Sequence, residues 1–261
     1  MIQKLVEYIP SNNRVERIWK LAQVDFQSRY YNDRLGLLWA LIKPIFEATL
    51  YYIAFKYLLL IDKQDFGLFL FGGIITWMVF SEGTSRSITL LQNKSYLIEN
   101  VQFNHIDLYY AHTSSALFGF IFNLSAFAFL SLILGHNANW QIIYLPVILI
   151  TIFVLVMAFS QILSTLQPFV KDITHFWDMS ILAGFWVSGI FFEPQIIFDK
   201  LPWFAHVNPF IGIIMNIRGI FINNYDISLY WMLHNLIFAF IFAFIGNIIF
   251  KKYSVLAFEK L

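Results

Sequence analysis

The chain has 261 residues, of which 59% are hydrophobic, 20% aromatic and 13% charged, with a formal net charge of +1 and a mean hydropathy of +0.67. Thirty phenylalanines exceed what one soluble core of this size can hide, so lipid must solvate much of the surface and the fold class is all-α integral membrane. The near-neutral charge and the lack of a basic cluster argue against nucleic acid as a partner. Without cysteine there is no disulfide, thiolate nucleophile or Cys-based metal site.

Residues 1–35 keep charges throughout and hold no uninterrupted apolar stretch, so no cleavable signal is expected and the first span is read as its own insertion signal. Residues 14–33 read RVERIWKLAQVDFQSRYYND. Val15, Ile18, Trp19, Ala22, Phe26 and Tyr30 recur at helical spacing, while Arg14, Arg17 and Asp25 fall elsewhere on the wheel and Leu21 and Val24 blur the pattern. This predicts an amphipathic interfacial helix at the membrane surface, a soluble partner-binding helix being the alternative. The junction RYYNDRLGLLWALIKP wires it directly to the first apolar run. Two parts follow: residues 1–35, and a membrane domain over 36–261 with no internal repeat or low-complexity linker.

A membrane-crossing helix needs roughly 20 mostly apolar residues. Segments near 37–61, 66–90, 108–134, 141–166 and 229–250 meet that, and a shorter sixth lies near 177–193. Ile211–Ile222 is apolar but shorter, and Asn216 and Arg218 interrupt it, so the chain from 177 to 223 is read as a span followed by short re-entrant helices. Six spans place both termini on one side. All the Lys and Arg except Lys56, Lys63, Lys200 and Arg218 sort with those termini and with the 91–107 and 167–176 loops, which makes that side cytoplasmic.

Charges inside apolar runs are costly and face a bundle interior or a wet cavity. Lys43 with Glu47, and Glu82 with Arg86, are spaced i, i+4 and can neutralise each other along one helix. Snorkelling to the headgroups is the alternative, favoured for Lys43 and Lys56. Trp39, Trp140, Trp177, Trp203 and Trp231 fall near span ends, as an aromatic belt requires. Trp77 and Trp186 do not. With Phe80, Phe185, Tyr51 and Tyr52 at similar depth they form a candidate aromatic substrate path, since aromatic faces stack on sugar rings; ordinary packing is the other reading.

Enzyme chemistry finds little support. The six histidines lack metal-ligand spacing, no GxxxxGK[ST] is present, and the acids are scattered. The loops LQNKSYLIENVQFNHID and QPFVKDITHFW are each long enough for a short helix that docks in the groove of a separate protein.

Five fragments in order carry a resemblance: IWKLAQVDFQSRYYNDRLGLLWALIKP, GGIITWMVFSEGTSRSI, LLQNKSYLIENVQFNHID, PFVKDITHFW and SGIFFEPQ…HVNPFIGIIMNIRGIF. The chain resembles ABC-2 type permeases of the polysaccharide-export branch, which move capsule, O-antigen or teichoic acid. NKSYLIENVQ leans toward the capsule type, the first span toward the teichoic-acid and O-antigen type. Asn104-His105-Ile106-Asp107 departs from the Pro-containing version common in that family, and Lys56 lies inside the first run.

The resemblance implies a homodimer of six-span subunits in the bacterial cytoplasmic (inner) membrane, paired with two copies of an ATPase chain. ATP and Mg would bind that partner; no cofactor or metal is expected on this chain. It further implies a gate helix carrying Arg14, Trp19, Phe26, Arg29 and Tyr30, and coupling helices in the 93–105 and 167–176 loops, with Asn93, Lys94, Lys171 and Asp172 at the ATPase contact. The substrate implied is a lipid-linked glycan. Export of a small hydrophobic compound or lipid is the first alternative, an integral membrane transferase the second.

Overall fold

The computed structural model describes residues 13–30, 34–60, 63–100, 103–137 and 140–260. Residues 1–12, and Tyr31, Asn32 and Asp33 of the junction, lie outside these. Helix α1 spans Arg14–Tyr30; Asn13 Oδ1 accepts from the Glu16 amide at 3.3 Å, and Glu16 and Arg29 sit at the ends that suit the helix dipole. Then come α2 (Leu38–Ile53, extended by a π turn over Ala54–Leu58), α3 (Phe66–Ser87), the short α4 (Leu90–Asn93) and α5 (Ser95–Asn100), and α6 (Ile106–Ile133). A 3-10 turn at Trp140–Tyr144 leads into α7 (Leu145–Leu166), followed by α8 (Ile173–Val187), α9 (Pro194–Lys200), α10 (Pro202–Val207), α11 (Pro209–Phe221) and α12 (Leu229–Phe258).

Among the described residues, five helical segments are long and apolar enough to cross a membrane: Leu38–Leu58, Phe66–Ser87, Ile106–Ile133, Trp140–Leu166 and Leu229–Phe258. The sixth expected span, α8, has 15 residues, about 22 Å at 1.5 Å per residue, against a hydrocarbon core of ~30 Å. It begins before residue 177 and stops at Val187, because the chain turns at Gly189 with a φ of +78°. The last helix runs past residue 250 to Phe258. Lys251 and Lys252 point outward while Ser254 and Ala257 stay buried, so the charges decorate the helix without ending it.

Helix α3 is the hub. Most of its side chains are buried, and it touches α2, α6, α7, α8 and α11. Helices α7 and α12 run together, with Gly246 so close that an added Cβ would lie 2.8 Å from the Ala158 carbonyl oxygen. A second cluster of Leu21, Leu91, Leu97, Leu108, Tyr109 and Phe250 ties α1, α4, α5, α6 and α12 into a collar at one end.

Three consecutive helices, α9, α10 and α11, each open on proline, whose fixed φ suits a first turn and whose missing N–H costs nothing there. Almost all of α11 is buried. Arg218, which broke its apolar pattern, donates to the carbonyls of Phe69 (3.1 and 3.0 Å), Gly189 (2.8 Å) and Ile190 (2.9 Å), with its guanidinium 3.3 Å above the Phe69 ring. Asn216 Oδ1 accepts from the Ser228 amide at 2.8 Å. Both interruptions thus satisfy backbone groups that the broken helices expose. Nearby, Lys63 is ion-paired with Glu193, which also accepts from the Tyr225 hydroxyl at 2.9 Å. Burial pulls the Lys63 amine down despite that carboxylate.

Candidate functional site

The site is assembled by α1 lying across α6. Arg14 and Arg17 grip Asp107 at 2.9 and 2.7 Å, and Asp107 is fully buried. Further along both helices, Arg29 Nη2 lies 3.1 Å from Asp25 Oδ2 and 3.3 Å from His112 Nδ1, while His112 Nε2 donates to the Gly83 carbonyl at 2.7 Å. Burial raises the Asp25 carboxyl, but the hydrogen bond from His112 and the charges of Arg29, His112 and Lys94 hold it well below the usual carboxylate range.

The inner face of α1 is mixed, an arginine sharing it with the expected Ala22. Its buried residues are Arg17, Leu21 and Ala22, whereas Val15 and Trp19 are exposed. Trp19 and Phe26 still reach Phe118 edge-on, with ring centroids 5.4 and 6.3 Å away. Leu21, which blurred the sequence pattern, is the anchor.

Between α1, α2, α3 and α6 lies a chamber of about 180 Å³. Arg29 and Tyr30 close it from α1, Trp39 and Lys43 from α2, Glu82 and Arg86 from α3, and Asn123 from α6. The Tyr30 hydroxyl rests on Gly119, where an added Cβ would fall 2.6 Å from it. Of the four expected intramembrane charges, two pair between helices rather than along them: Lys43 Nζ donates to Glu82 Oε1 at 2.7 Å. Neither Glu47 nor Arg86 takes the i, i+4 partner read from the sequence; among the described residues Arg86 has no ion pair. A second polar cavity, about 260 Å³, shares Arg29 and Arg86 and continues to Asn93, Lys94 and His112. With Arg29–Asp25 and Lys43–Glu82 paired, Arg86 and Lys94 remain as cations facing this cleft.

Sequence reasoning missed Asp107, His112 and Asn123. The amide oxygen of Asn123 is buried without a partner among the described residues; a lone Asn within FGFIFNLSAF was its available signal. The pairing of Asp107 and His112 with α1 spans 80 residues or more of sequence, which no local pattern reveals.

The candidate aromatic path divides. Tyr51, Phe185 and Trp186 converge on Phe191 between α2 and α8, with centroids 4.9, 5.3 and 4.8 Å from it. Trp186 remains 46% exposed. Trp77 and Phe80 are instead buried in the subunit core, 5.1 and 4.6 Å from the Phe210 ring, and the outer end of the Trp77 ring abuts Gly184. Tyr52 turns away, accepting a 2.7 Å hydrogen bond from Lys56.

Of the two loops expected to dock a partner, the first forms α4 and α5, whereas residues 167–172 are turns and the next helix is α8 itself. The loops meet: Gln92 Nε2 donates to Gln167 Oε1 at 2.9 Å. Asn93, Lys171 and Asp172 are exposed.

Among the described residues, five helical segments long and apolar enough to cross a membrane define a multi-pass membrane protein. Residues 16–222 match the ABC-2 type transporter model. The chain belongs to that family, whose members are transport subunits that partner an ATPase. It is similar to two proteins named O-antigen export system permease protein RfbA. The one from Klebsiella pneumoniae is 24% identical over 233 residues, spanning 87% of this chain and 88% of that one. The one from Myxococcus xanthus is 21% identical over 203 residues, spanning 77% and 78%.

Proposed function

We propose that the chain is the permease subunit of an exporter that moves a lipid-linked cell-surface polysaccharide, of the O-antigen kind, across the bacterial cytoplasmic membrane. The observation that carries this reading is the charged cleft under α1. Arg86 and Lys94, neither in an ion pair among the described residues, offer two cations to a phosphate anchor, the chemistry for which guanidinium and ammonium groups are suited. Names of the relatives supply the glycan.

In this reading residues 1–35 form the gate segment and residues 36–261 the transmembrane domain, with α8 as the sixth span and both termini cytoplasmic. Two copies associate through the faces of α2 and α8 left bare in one subunit, where Phe46, Leu50, Phe176, Met179 and Leu182 are exposed. Trp186 and Tyr51 then border the path between them and give sugar rings stacking faces with no charge to trap a polymer. Two ATPase chains dock on the adjoining α4–α5 and 167–172 loops, and their closure spreads the subunits as rigid bodies.

The experiment is deletion of the gene with analysis of surface and intracellular glycan, complemented by wild type or by the Arg86→Gln/Lys94→Gln double variant. Deletion should abolish a surface glycan, wild type should restore it, and the double variant should restore little while inserting normally. Unchanged surface glycan in the deletion strain would overturn the reading.

A further inference from the structure

Resting on the entry role just proposed, we infer that the seam between α2, α3 and α6 is a furrow for the long isoprenoid tail of a phosphorylated lipid carrier. Its head lies in the charged chamber and its tail runs to the opposite half of the bilayer. A further cavity of about 200 Å³ opens on the same three helices beyond the chamber. Ala48, Thr49 and Tyr52 line it from α2, Gly67 and Phe71 from α3, and Leu130 from α6.

The two cavities lie in line. Along α2 the chamber takes Ala40 and Lys43 and the groove takes Ala48 and Thr49. The residues that α2 buries between the cavities are the small Ala40, Pro44 and Ala48, with Leu41 and Glu47 half-buried beside them. The groove is also chemically apolar. Its hydroxyls are engaged elsewhere: Thr49 donates to the Ile45 carbonyl at 2.8 Å, and the Tyr52 oxygen is held by Lys56 at 2.7 Å. At the other end, Arg86 and Lys94 supply charge complementarity for a phosphate.

Length selects the occupant. From Arg86 to Gly67 along α3 is about 28 Å at 1.5 Å per residue, nearly the ~30 Å of the hydrocarbon core. An ordinary phospholipid whose headgroup sits at Arg86 ends near the midplane, short of the groove at Gly67. A polyprenyl chain long enough to cross both leaflets fills chamber mouth and groove together.

The test uses the transporter with its ATPase partner in nanodiscs of zwitterionic phospholipid, reading ATPase stimulation against added undecaprenyl diphosphate, geranyl diphosphate or phosphatidic acid. The long probe should act at a concentration lower than the short one by about tenfold or more, and phosphatidic acid should act weakly. Filling the groove by Thr49→Trp or Gly67→Val should raise the midpoint for the long probe by about tenfold and leave the short probe unchanged. Thr49→Val, which keeps the shape, should behave as wild type and controls for folding. Equal potency of long and short probes, or of phosphatidic acid, or filled variants that respond normally to the long probe, would overturn the furrow while leaving the head-group site standing. Stimulation by none of the three would defeat both.

Discussion

Arg218 occupies a position in α11 where lipid-like packing surrounds it on every side, and four hydrogen bonds to three carbonyls account for its presence. Those carbonyls belong to the start of α3 and to the turn after α8, so one side chain holds the far-end helices in register. Arg218→Met keeps the length but leaves the carbonyls unsatisfied; we expect a loss of about 3 kcal/mol or more at ~1–3 kcal/mol per buried group, read as thermal unfolding in detergent. Arg218→Lys should fall between, since an ammonium cannot fork to all three. Trp77 and Trp186 separate in the same way. Trp77→Ala opens a core cavity against Phe210 and Gly184 and should cost about 3–5 kcal/mol, whereas Trp186→Ala, half exposed, should leave stability unchanged and reduce only glycan export. A stability loss at Trp186 equal to that at Trp77 would contradict this division. From sequence alone the two tryptophans were indistinguishable, because depth along a span does not tell which way a ring faces.

At the scale of elements, α1 shows why helical periodicity located a helix but read only part of its inner face. The pattern weighed apolar residues as buried, yet here α6 offers Asp107 and His112 as partners, so arginines turn inward. Asp107→Asn leaves Arg17 buried beside a neutral amide. Breaking a buried pair from one side costs about 3–5 kcal/mol, which should release α1 and expose the collar to limited proteolysis. The Asp25 clamp responds to acid in a defined direction. A carboxyl whose pKa is depressed by folding contributes stability that is complete above the unfolded value and is lost as pH falls through the folded one. The clamp should therefore survive through pH ~4, where an ordinary Asp (~3.9) begins to protonate, and open only under stronger acid. Trp19 fluorescence against pH reports it, and Asp25→Asn should abolish that acid transition.

For the whole molecule, five spans were legible because apolar length is a direct consequence of bilayer thickness. Helix α8 was less so, its end being set by the turn at Gly189 and by the clasp of Arg218 on that turn, both tertiary facts. The collar end was legible as charged loops, but their contact through Gln92 and Gln167 was not, since the pair is 75 residues apart. That contact joins the two loops proposed to dock the ATPase, in which two lysines differ in setting. Lys171 is exposed, whereas Lys94 also lines the polar cleft with Arg86, His112 and Asp25. Lys171→Glu should weaken capture of the ATPase partner and leave the concentration dependence of substrate stimulation as in wild type. Lys94→Glu should do both: reduce partner capture and shift the substrate midpoint upward, because it places a second carboxylate beside Asp25 where a phosphate would approach. Co-purification of the partner measures the first effect and ATPase activity titrated with substrate the second. If the two variants shift both quantities alike, Lys94 belongs to the loop contact alone and the cleft does not extend to the coupling loop.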